Sequence, residues 1–170
     1  MDRREYAFEG DRPDVHGYAH VSREATVVGD VTIAANANVW PGAVLRGDVG
    51  PVRVGRESAI GDNAVLHASS VGSKSMVGHG AILNDSVVED GALVGFNSTV
   101  SEATIGAGSI VAMGTVVPSG YEVPSDSFVR GMPASVTPIE QTNIDAEGVF
   151  EAFSSGDYAN LAQRHEDLFE

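Results

Sequence analysis

Apolar residues recur with a short, fixed period between Ile60 and Val117. An aliphatic residue opens each block, and small or turn-forming residues fill the rest: IGDNAV LHASS VGSKSM VGHGAI LNDSV VEDGAL VGFNST VSEAT IGAGSI VAMGTV V. Blocks of six are interrupted regularly by a block of five, so the pattern repeats every 17 residues. Such a repeat is typical of a parallel β-helix built from hexapeptides, in which each block makes one short strand and one corner. The small residues permit the tight bends between faces.

The repeat also predicts where side chains stand relative to one another. If Ile60 opens the first face, the second face opens at residue 66 and the third at residue 71. His67 and Asn84 then occupy the same position of consecutive coils, about 4.8 Å apart. His79 falls on a different face, so it does not easily converge with this pair within one chain. A neighbouring subunit related by a threefold axis would bring its own His79 to the pair, which indicates a trimer with sites between subunits.

The same phase extends toward the amino terminus and is broken once. The in-phase aliphatic residues are Val21, Val27, Ile33, Val39 and Leu45. The next one, Val54, comes nine residues later instead of six, which predicts a loop or bulge within RGDVGPVR. Residues 1–14 are polar and are predicted to form an extended lead-in. His16 and His20 have a spacing that would suit a metal on a helix, but in this extended context we interpret them as surface or packing residues.

Beyond Val117 the period gives way to a segment rich in Pro, Ser and Gly, which is predicted to close the open end of the β-helix. Two helices are predicted after it. One runs from Asn143 to Phe153, and Ser-Ser-Gly ends it. The other begins at the N-cap Asp157 and carries one stripe of residues that packs outside the prism: Tyr158, Leu161, His165, Leu168 and Phe169. We therefore divide the chain into a β-helix domain over residues 15–135 and a helical extension over residues 136–170.

Composition narrows the class of protein. A chain of 170 residues with 42% hydrophobic residues is long enough for one domain with a real core. Its apolar runs are too short to span a membrane, and the first ten residues do not resemble a signal peptide. There is no cysteine, which excludes disulfides and thiolate metal sites. These features predict a cytoplasmic protein.

The charge balance excludes two kinds of partner. The net charge is −14, with 24 acidic residues against ten basic ones, of which Lys74 is the one lysine. Such a surface repels nucleic acid and anionic membranes, so we expect neither as a partner. The charge fits an ordinary acidic protein or one adapted to molar salt, where screening removes self-repulsion. The near absence of lysine favours the halophilic interpretation.

Several motifs together resemble the γ-class carbonic anhydrases and their relatives in the hexapeptide-repeat superfamily. The order and spacing of RGD, VLH and GHGA are more specific than the hexads, which many acyltransferases share. The matching segments are GDV at 29–31, RGD at 46–48, DNAVLH at 62–67, GHGAIL at 78–83, GALVG at 91–95, IGAGSIVA at 105–112 and RGMPA at 130–134. The resemblance implies a left-handed β-helix and a homotrimer. It also implies zinc bound between subunits, with two ligands from one chain and one from its neighbour, and reversible hydration of CO2 to bicarbonate by metal-bound hydroxide.

The resemblance assigns the metal ligands residue by residue. His67 matches the first ligand and His79 the second, whereas the third position, usually histidine in the family, is Asn84. A catalytic zinc needs three protein ligands and one open position, and an amide oxygen is a poorer donor than imidazole. Asn84 is therefore either a replacement ligand for zinc or another divalent metal, or the mark of a weakened or empty site.

The resemblance also assigns the charged residues around the metal. Arg46 and Asp48 match the pair that ties the subunit interface beside the metal, and Asp62 matches the acidic residue before the first ligand. These three are the candidate catalytic residues. The family's glutamine beside the metal is absent, because Gly61 occupies its position, and so is the long acidic loop that carries a proton-shuttling glutamate.

Three functions remain open from the sequence. The first is metal-dependent hydration of CO2 at a site between subunits. The second is an acyltransferase or thioesterase acting on coenzyme A thioesters, which needs a histidine base beside a cleft long enough for pantetheine. The third is a non-catalytic trimeric scaffold whose metal site has decayed. Asn84 and Gly61, the two departures from the family pattern, support this alternative.

Overall fold

A computed structural model describes residues 4–154 and 160–169 of the chain. It is a parallel β-solenoid of about seven turns with a few short helices after it. The strands are β1 Arg4–Tyr6, β2 Asp14–Val15, β3 His20–Val21, β4 Thr26–Ile33, β5 Asn38–Val39, β6 Val44–Val54, β7 Ala59–Ile60, β8 Val65–His67, β9 Ser70–Val71, β10 Met76–Val77, β11 Ile82–Asn84, β12 Val87–Val88, β13 Leu93–Val94, β14 Thr99–Ser101, β15 Thr104–Ile105, β16 Ile110–Val111, β17 Val116–Val117, β18 Glu122–Val123, β19 Ser127–Gly131 and β20 Ala134–Pro138. The helices are α1 Ala146–Ser154, α2 Leu161–Arg164 and α3 Glu166–Phe169, preceded by a 3₁₀ turn at Ile139–Gln141.

The strands form three faces, as the repeat predicts. The first face is a sheet of eight strands in the order β3-β5-β7-β10-β13-β16-β19-β20, parallel except for its last pair. The other two faces belong to one sheet of twelve strands, because β4 and β6 are long enough to bend around a corner. Ile60 pairs with Val77 and Val77 with Val94, so the predicted 17-residue register is confirmed.

One column of aliphatic side chains from each face fills the prism. These residues stack on their copies one coil away and are almost completely buried: Ile60, Val77, Val94 and Val111 on the first face, Leu45, Leu66, Leu83, Val100 and Val117 on the second, and Val54, Val71, Val88, Ile105 and Val123 on the third. Burial of this surface is the main force that holds the coils together.

Buried hydroxyl groups connect consecutive coils at the corners. The backbone N–H of Ser86 donates to Oγ of Ser69, and the N–H of Ala103 donates in turn to Oγ of Ser86. The hydroxyl of Ser86 also donates to a backbone carbonyl of a neighbouring coil. These serines therefore satisfy backbone groups that the short strands leave unpaired.

The predicted bulge lies in β6 and is confirmed. Gly29 pairs with Gly47 and Val31 with Val52, so residues 48–51 stand opposite a single residue of β4. A side chain at residue 47 would not fit, because a Cβ there would lie 2.2 Å from the carbonyl oxygen of Asp30. The glycine of the RGD motif is thus required by packing, and the bulge carries Asp48 out of the regular ladder.

The amino-terminal segment takes part in the prism. The predicted extended lead-in is found as β1, which pairs in parallel with residues 26–28, and as β2, which pairs with residues 32–33. Apolar periodicity missed these pairings, because β1 is exposed and stabilised by backbone hydrogen bonds at the end of the sheet.

The carboxy-terminal helices pack against the first face. The first predicted helix is found as α1, whereas the second is divided into α2 and α3, and its predicted start at Asp157 and Tyr158 lies outside the described residues. Aromatic rings hold this segment to the prism. Trp40 contacts His165 at a centroid distance of 6.0 Å and Phe169 at 5.2 Å, so the interpretation of His165 as a packing residue is confirmed. No helix in the described ranges has the length and apolar character needed to cross a membrane.

Candidate metal centre

A column of polar side chains runs up the second face beside the bulge. The strand register places Arg46 next to His67, His67 next to Asn84, and Asn84 next to Ser101. Each of these residues follows an inward-facing aliphatic residue, so alternation along the strand turns it outward. The predicted neighbourhood of His67 and Asn84 is therefore confirmed.

The imidazole of His67 lies between two oxygen atoms. Its Nδ1 is 3.1 Å from Oδ1 of Asn84, and its Nε2 is 3.2 Å from Oδ1 of Asp48. The side chains of His67 and Asp48 are 27% and 13% exposed, so this cluster is partly closed within a single chain.

Arg46 fixes the carboxylate of Asp48. The guanidinium donates from Nε and from a terminal nitrogen to Oδ2 of Asp48, at 3.0 Å for the Nε bond. These hydrogen bonds hold the pKa of Asp48 below its ordinary value, although burial acts in the opposite direction. Asp48 is therefore a carboxylate at neutral pH, with one oxygen engaged by Arg46 and the other directed at His67.

Two atoms of this cluster have unsatisfied hydrogen-bonding capacity. In the part of the chain that the structure describes, Oδ1 of Asp48 and Nε2 of His67 are the buried side-chain polar atoms without a hydrogen-bond partner. Buried polar atoms in folded proteins are nearly always satisfied, so each exception needs an explanation. The two atoms lie 3.2 Å from each other, so either a proton on Nε2 or a cation held between them would satisfy both.

His79 lies at an exposed corner between the first and second faces, in contact with Asp62. Its Nδ1 is 2.7 Å from Oδ2 of Asp62 and 3.1 Å from the backbone nitrogen of the same residue. The backbone N–H of Asp62 donates to Nδ1, so both contacts of Asp62 are made to the same ring nitrogen. Asp62 does not engage the opposite nitrogen, Nε2, and the side chain of His79 is 57% exposed.

Two further residues pack closely against His79. Phe96 stacks on it at a centroid distance of 4.9 Å and an angle of 28°. Gly61 lies below it, where a Cβ would come 2.7 Å from the His79 backbone nitrogen and 3.0 Å from Nδ1. Phe96 was not among the predicted site residues, although its position 17 residues after His79 was a usable signal.

The predicted site residues thus form two groups within one chain. Arg46, Asp48, His67 and Asn84 make one cluster, whereas Asp62 and His79 make a separate pair. Among the described residues, no three His, Asp or Glu side chains come together in a way that could hold a metal ion.

A groove of about 1100 Å³ separates the first face from the carboxy-terminal helices. His79 and Asp62 open into it, together with Lys74. The remaining lining is largely apolar and includes Trp40, Met76, Leu93, Phe96, Phe150 and Phe153. This groove could not be expected from the sequence, because it depends on where the helices pack.

Curated proteins with similar sequences include both transferases and carbonic anhydrases. The chain is 39% identical over 64 residues to an uncharacterized transferase, YtoA, of Bacillus subtilis, and 36% identical over 64 residues to a carbonic anhydrase of Geobacillus kaustophilus. It is 44% identical over 57 residues to the mitochondrial gamma carbonic anhydrase 1 of Arabidopsis thaliana. These matches cover 34% to 38% of this chain but 37%, 35% and 21% of the respective relatives. No family model matches the sequence.

The structural similarity extends over the whole fold. A hexapeptide transferase family protein from Anaplasma phagocytophilum superimposes with a TM-score of 0.87 and 31% identity, over 96% of this chain and 99% of that chain. The chain therefore belongs to the hexapeptide-repeat, left-handed β-helix superfamily. Within that superfamily, part of the chain resembles the two carbonic anhydrases, over 38% and 34% of its length.

Proposed function

We propose that this protein hydrates CO2 reversibly to bicarbonate, as a homotrimer with a divalent metal ion, zinc by preference, between adjacent subunits. The observation that carries the proposal is the 3.2 Å contact between Nε2 of His67 and Oδ1 of Asp48, two buried donor atoms for a metal that have no hydrogen-bond partner by geometry. A ring nitrogen in this state is suited to a metal ion, and neutral imidazole is a favoured zinc ligand. The similarity to proteins named carbonic anhydrases supports the reaction.

Two imidazoles from different copies are the fixed donors in this proposal. His67 of one copy contributes Nε2, and His79 of the neighbouring copy contributes its own Nε2, which the contact between Nδ1 and Asp62 leaves available. A carboxylate on the far ring nitrogen fixes the tautomer of a metal-binding histidine and raises its basicity. The third donor is an oxygen atom, from Asn84 or from Asp48, because the third histidine of the family is missing.

The surface around His67 supports the presence of a second copy. Val65 and His67 point outward from the same strand, and Ile82 does so next to Asn84. Ile82 is 42% exposed in the single chain. An apolar patch beside half of a polar site is expected where another copy of the chain covers it. Burial of this patch would also exclude water from the metal site.

When bound, a divalent ion would supply a water molecule with a pKa lowered to about 7. The contributions of the chain follow from its own contacts. Arg46 fixes one oxygen of Asp48 and keeps this carboxylate ionised beside His67. The exposed guanidinium, with a side chain that is 48% exposed, can also attract bicarbonate toward an otherwise acidic protein.

The metal content of untagged protein purified in high salt tests this proposal. The expected result is about one zinc ion per chain, since each interface of a cyclic trimer forms one site. His67→Ala should abolish metal binding and CO2 hydration together, whereas His20→Ala, a change to a histidine that packs on Phe169, should leave both unchanged. Metal content near zero after zinc is offered would contradict the proposal and favour a scaffold whose site has decayed.

A specific observation favours a second candidate function, acyl transfer from a coenzyme A thioester. The pair of His79 and Asp62 opens into the groove, whose volume of about 1100 Å³ can hold a pantetheine arm. An imidazole held by a carboxylate is suited to act as a general base. Saturable binding of acetyl-coenzyme A to metal-free protein, lost in His79→Ala, would support this function. Lack of binding at millimolar ligand would exclude it.

A further inference from the structure

The hydrogen-bonding roles around His67 leave one place for a cation. Nδ1 of His67 lies 3.1 Å from Oδ1 of Asn84, and Nε2 lies 3.2 Å from Oδ1 of Asp48. If Nδ1 donates to the amide oxygen of Asn84, Nε2 presents its lone pair to the carboxylate oxygen. In this tautomer the two acceptor atoms need a positive charge between them, which a metal ion would supply.

We propose that the third metal ligand is Oδ1 of Asp48, and that Asn84 is a positioning residue that binds no metal. The metal ion would be held by Nε2 of His67 and Oδ1 of Asp48 in one copy, and by His79 of the neighbouring copy. This inference rests on the proposed function of the same site. Asp48, which lies on the opposite side of the His67 ring from Asn84, would thus take the place of the missing third histidine.

The spacing of the donors fits one ion. Two ligands at about 2.0–2.2 Å from a tetrahedral zinc lie about 3.3–3.6 Å from each other. Nε2 of His67 and Oδ1 of Asp48 are 3.2 Å apart without any metal present, so small movements suffice. Oδ2 of Asp48 is already bound by Arg46, so only Oδ1 remains for the metal.

The role of Asn84 follows from the same contacts. Histidines that bind a metal usually donate their other ring N–H to a carbonyl or carboxylate oxygen, which fixes the orientation of the ring. The carbonyl oxygen of the Asn84 side chain occupies this place at Nδ1 of His67. Asn84 therefore resembles an outer-sphere partner of the site. With Asp48 as the third ligand, residue 84 has to orient His67 and does not have to bind the metal, so asparagine can replace the histidine of the family.

The proposed ligand set has a distinct chemical character. Two imidazoles and one carboxylate bind zinc in some hydrolytic enzymes, and the same set suits ferrous iron in others. The carboxylate leaves one unit less positive charge at the metal than three imidazoles would. The site should therefore retain divalent iron or cobalt as well as zinc.

Zinc affinity of three variants tests the ligand set. Metal-free protein is titrated with zinc in competition with a chromophoric chelator, and folding is checked by thermal melting. Asp48→Asn should weaken binding more than about 100-fold, whereas Asn84→Ala should weaken it about 10- to 100-fold, as outer-sphere changes do. Asp30→Asn is the matched control, since Asp30 also accepts two hydrogen bonds from an arginine, Arg53, and should bind zinc as the wild type does.

The protonation of His67 in the zinc-bound protein gives a second, independent result. Nitrogen-15 NMR should find the hydrogen on Nδ1 and the metal on Nε2. A larger loss of zinc affinity in Asn84→Ala than in Asp48→Asn would overturn the inference and leave the proposed function standing, whereas a hydrogen on Nε2 would overturn both. Absence of zinc binding in every variant and in the wild type would overturn both.

Discussion

Gly61 and His79 are packed so closely that residue 61 has no room for a side chain. A Cβ at this position would lie 2.7 Å from the backbone nitrogen of His79 and 2.9 Å from the carbonyl carbon of Gly78. The family pattern places glutamine here, yet the space that its side chain would need is occupied by the corner that carries His79. Glycine at position 61 therefore fits the close packing of this corner.

Gly61→Ala is predicted to displace His79 and weaken the site. Because the obstructing atoms are backbone, the corner must move, at a cost of about 1–3 kcal/mol in the free energy of unfolding. Zinc affinity should fall in the same variant. The control is Gly17→Ala, where a Cβ meets nothing within 4 Å. Urea unfolding and zinc titration of both variants provide the comparison, and equal behaviour of the two would refute the packing argument.

Ser86→Ala is predicted to destabilise the fold by about 1–3 kcal/mol, because it leaves the buried N–H of Ala103 without a partner. Chemical denaturation measures the change. Ser119→Ala is the matched control, since its hydroxyl also contacts the next coil, Glu102, but at an exposed position. It should change the free energy of unfolding by less than about 0.5 kcal/mol. A loss of the same size in both variants would show that burial of the hydroxyl is irrelevant.

The ion pair of Asp30 and Arg53 is predicted to lose its stabilising effect in acid. Hydrogen bonds from Arg53 lower the pKa of Asp30 in the folded protein. Because the folded-state pKa lies below the unfolded value of about 3.9, the contribution is fully present above that value and is lost as the pH falls through the lower one. Denaturation experiments should therefore find that the difference in stability between wild type and Asp30→Asn shrinks as the pH falls from 6 to below 4, which is about the pKa of an aspartate in the unfolded chain. A difference that stays constant or grows in acid would contradict the assignment.

Salt is predicted to stabilise the protein. The net charge of −14 produces self-repulsion in the folded state, and raising the ionic strength from about 0.1 M to 1 M shortens the Debye length from about 10 Å to 3 Å. Thermal unfolding should therefore shift to higher temperature as KCl is added, and protein unfolded at low salt should refold. The same melting temperature across this range would refute adaptation to molar salt.

The regular part of the fold could be predicted from the sequence, because a single period governs it. The 17-residue repeat fixed which residues face inward and correctly placed His67 beside Asn84. The contact between Asp62 and His79 has the same spacing, so the repeat contained that signal as well. Packing along a strand ladder is a local and repetitive relationship, and periodicity therefore reports it well.

The contact between Asp48 and His67 in the candidate metal centre could not be predicted in this way. Asp48 reaches Nε2 of His67 only because residues 48–51 leave the ladder as a bulge. The repeat shows that residues are inserted there, but it does not specify the path of the inserted backbone. Likewise, the groove beside His79 depends on how the helices dock through Trp40, His165 and Phe169, which are distant in sequence.

The most direct test of a metal site shared between copies is complementation between two inactive variants. His67→Ala and His79→Ala are each expected to bind no zinc and to hydrate no CO2. If the two are unfolded together and refolded as mixed cyclic assemblies, about one quarter of the interfaces combine an intact His67 with an intact His79 from the neighbour. About one quarter of wild-type zinc content and activity should therefore return. No recovery, in assemblies shown by mass spectrometry to contain both variants, would contradict a site formed between copies.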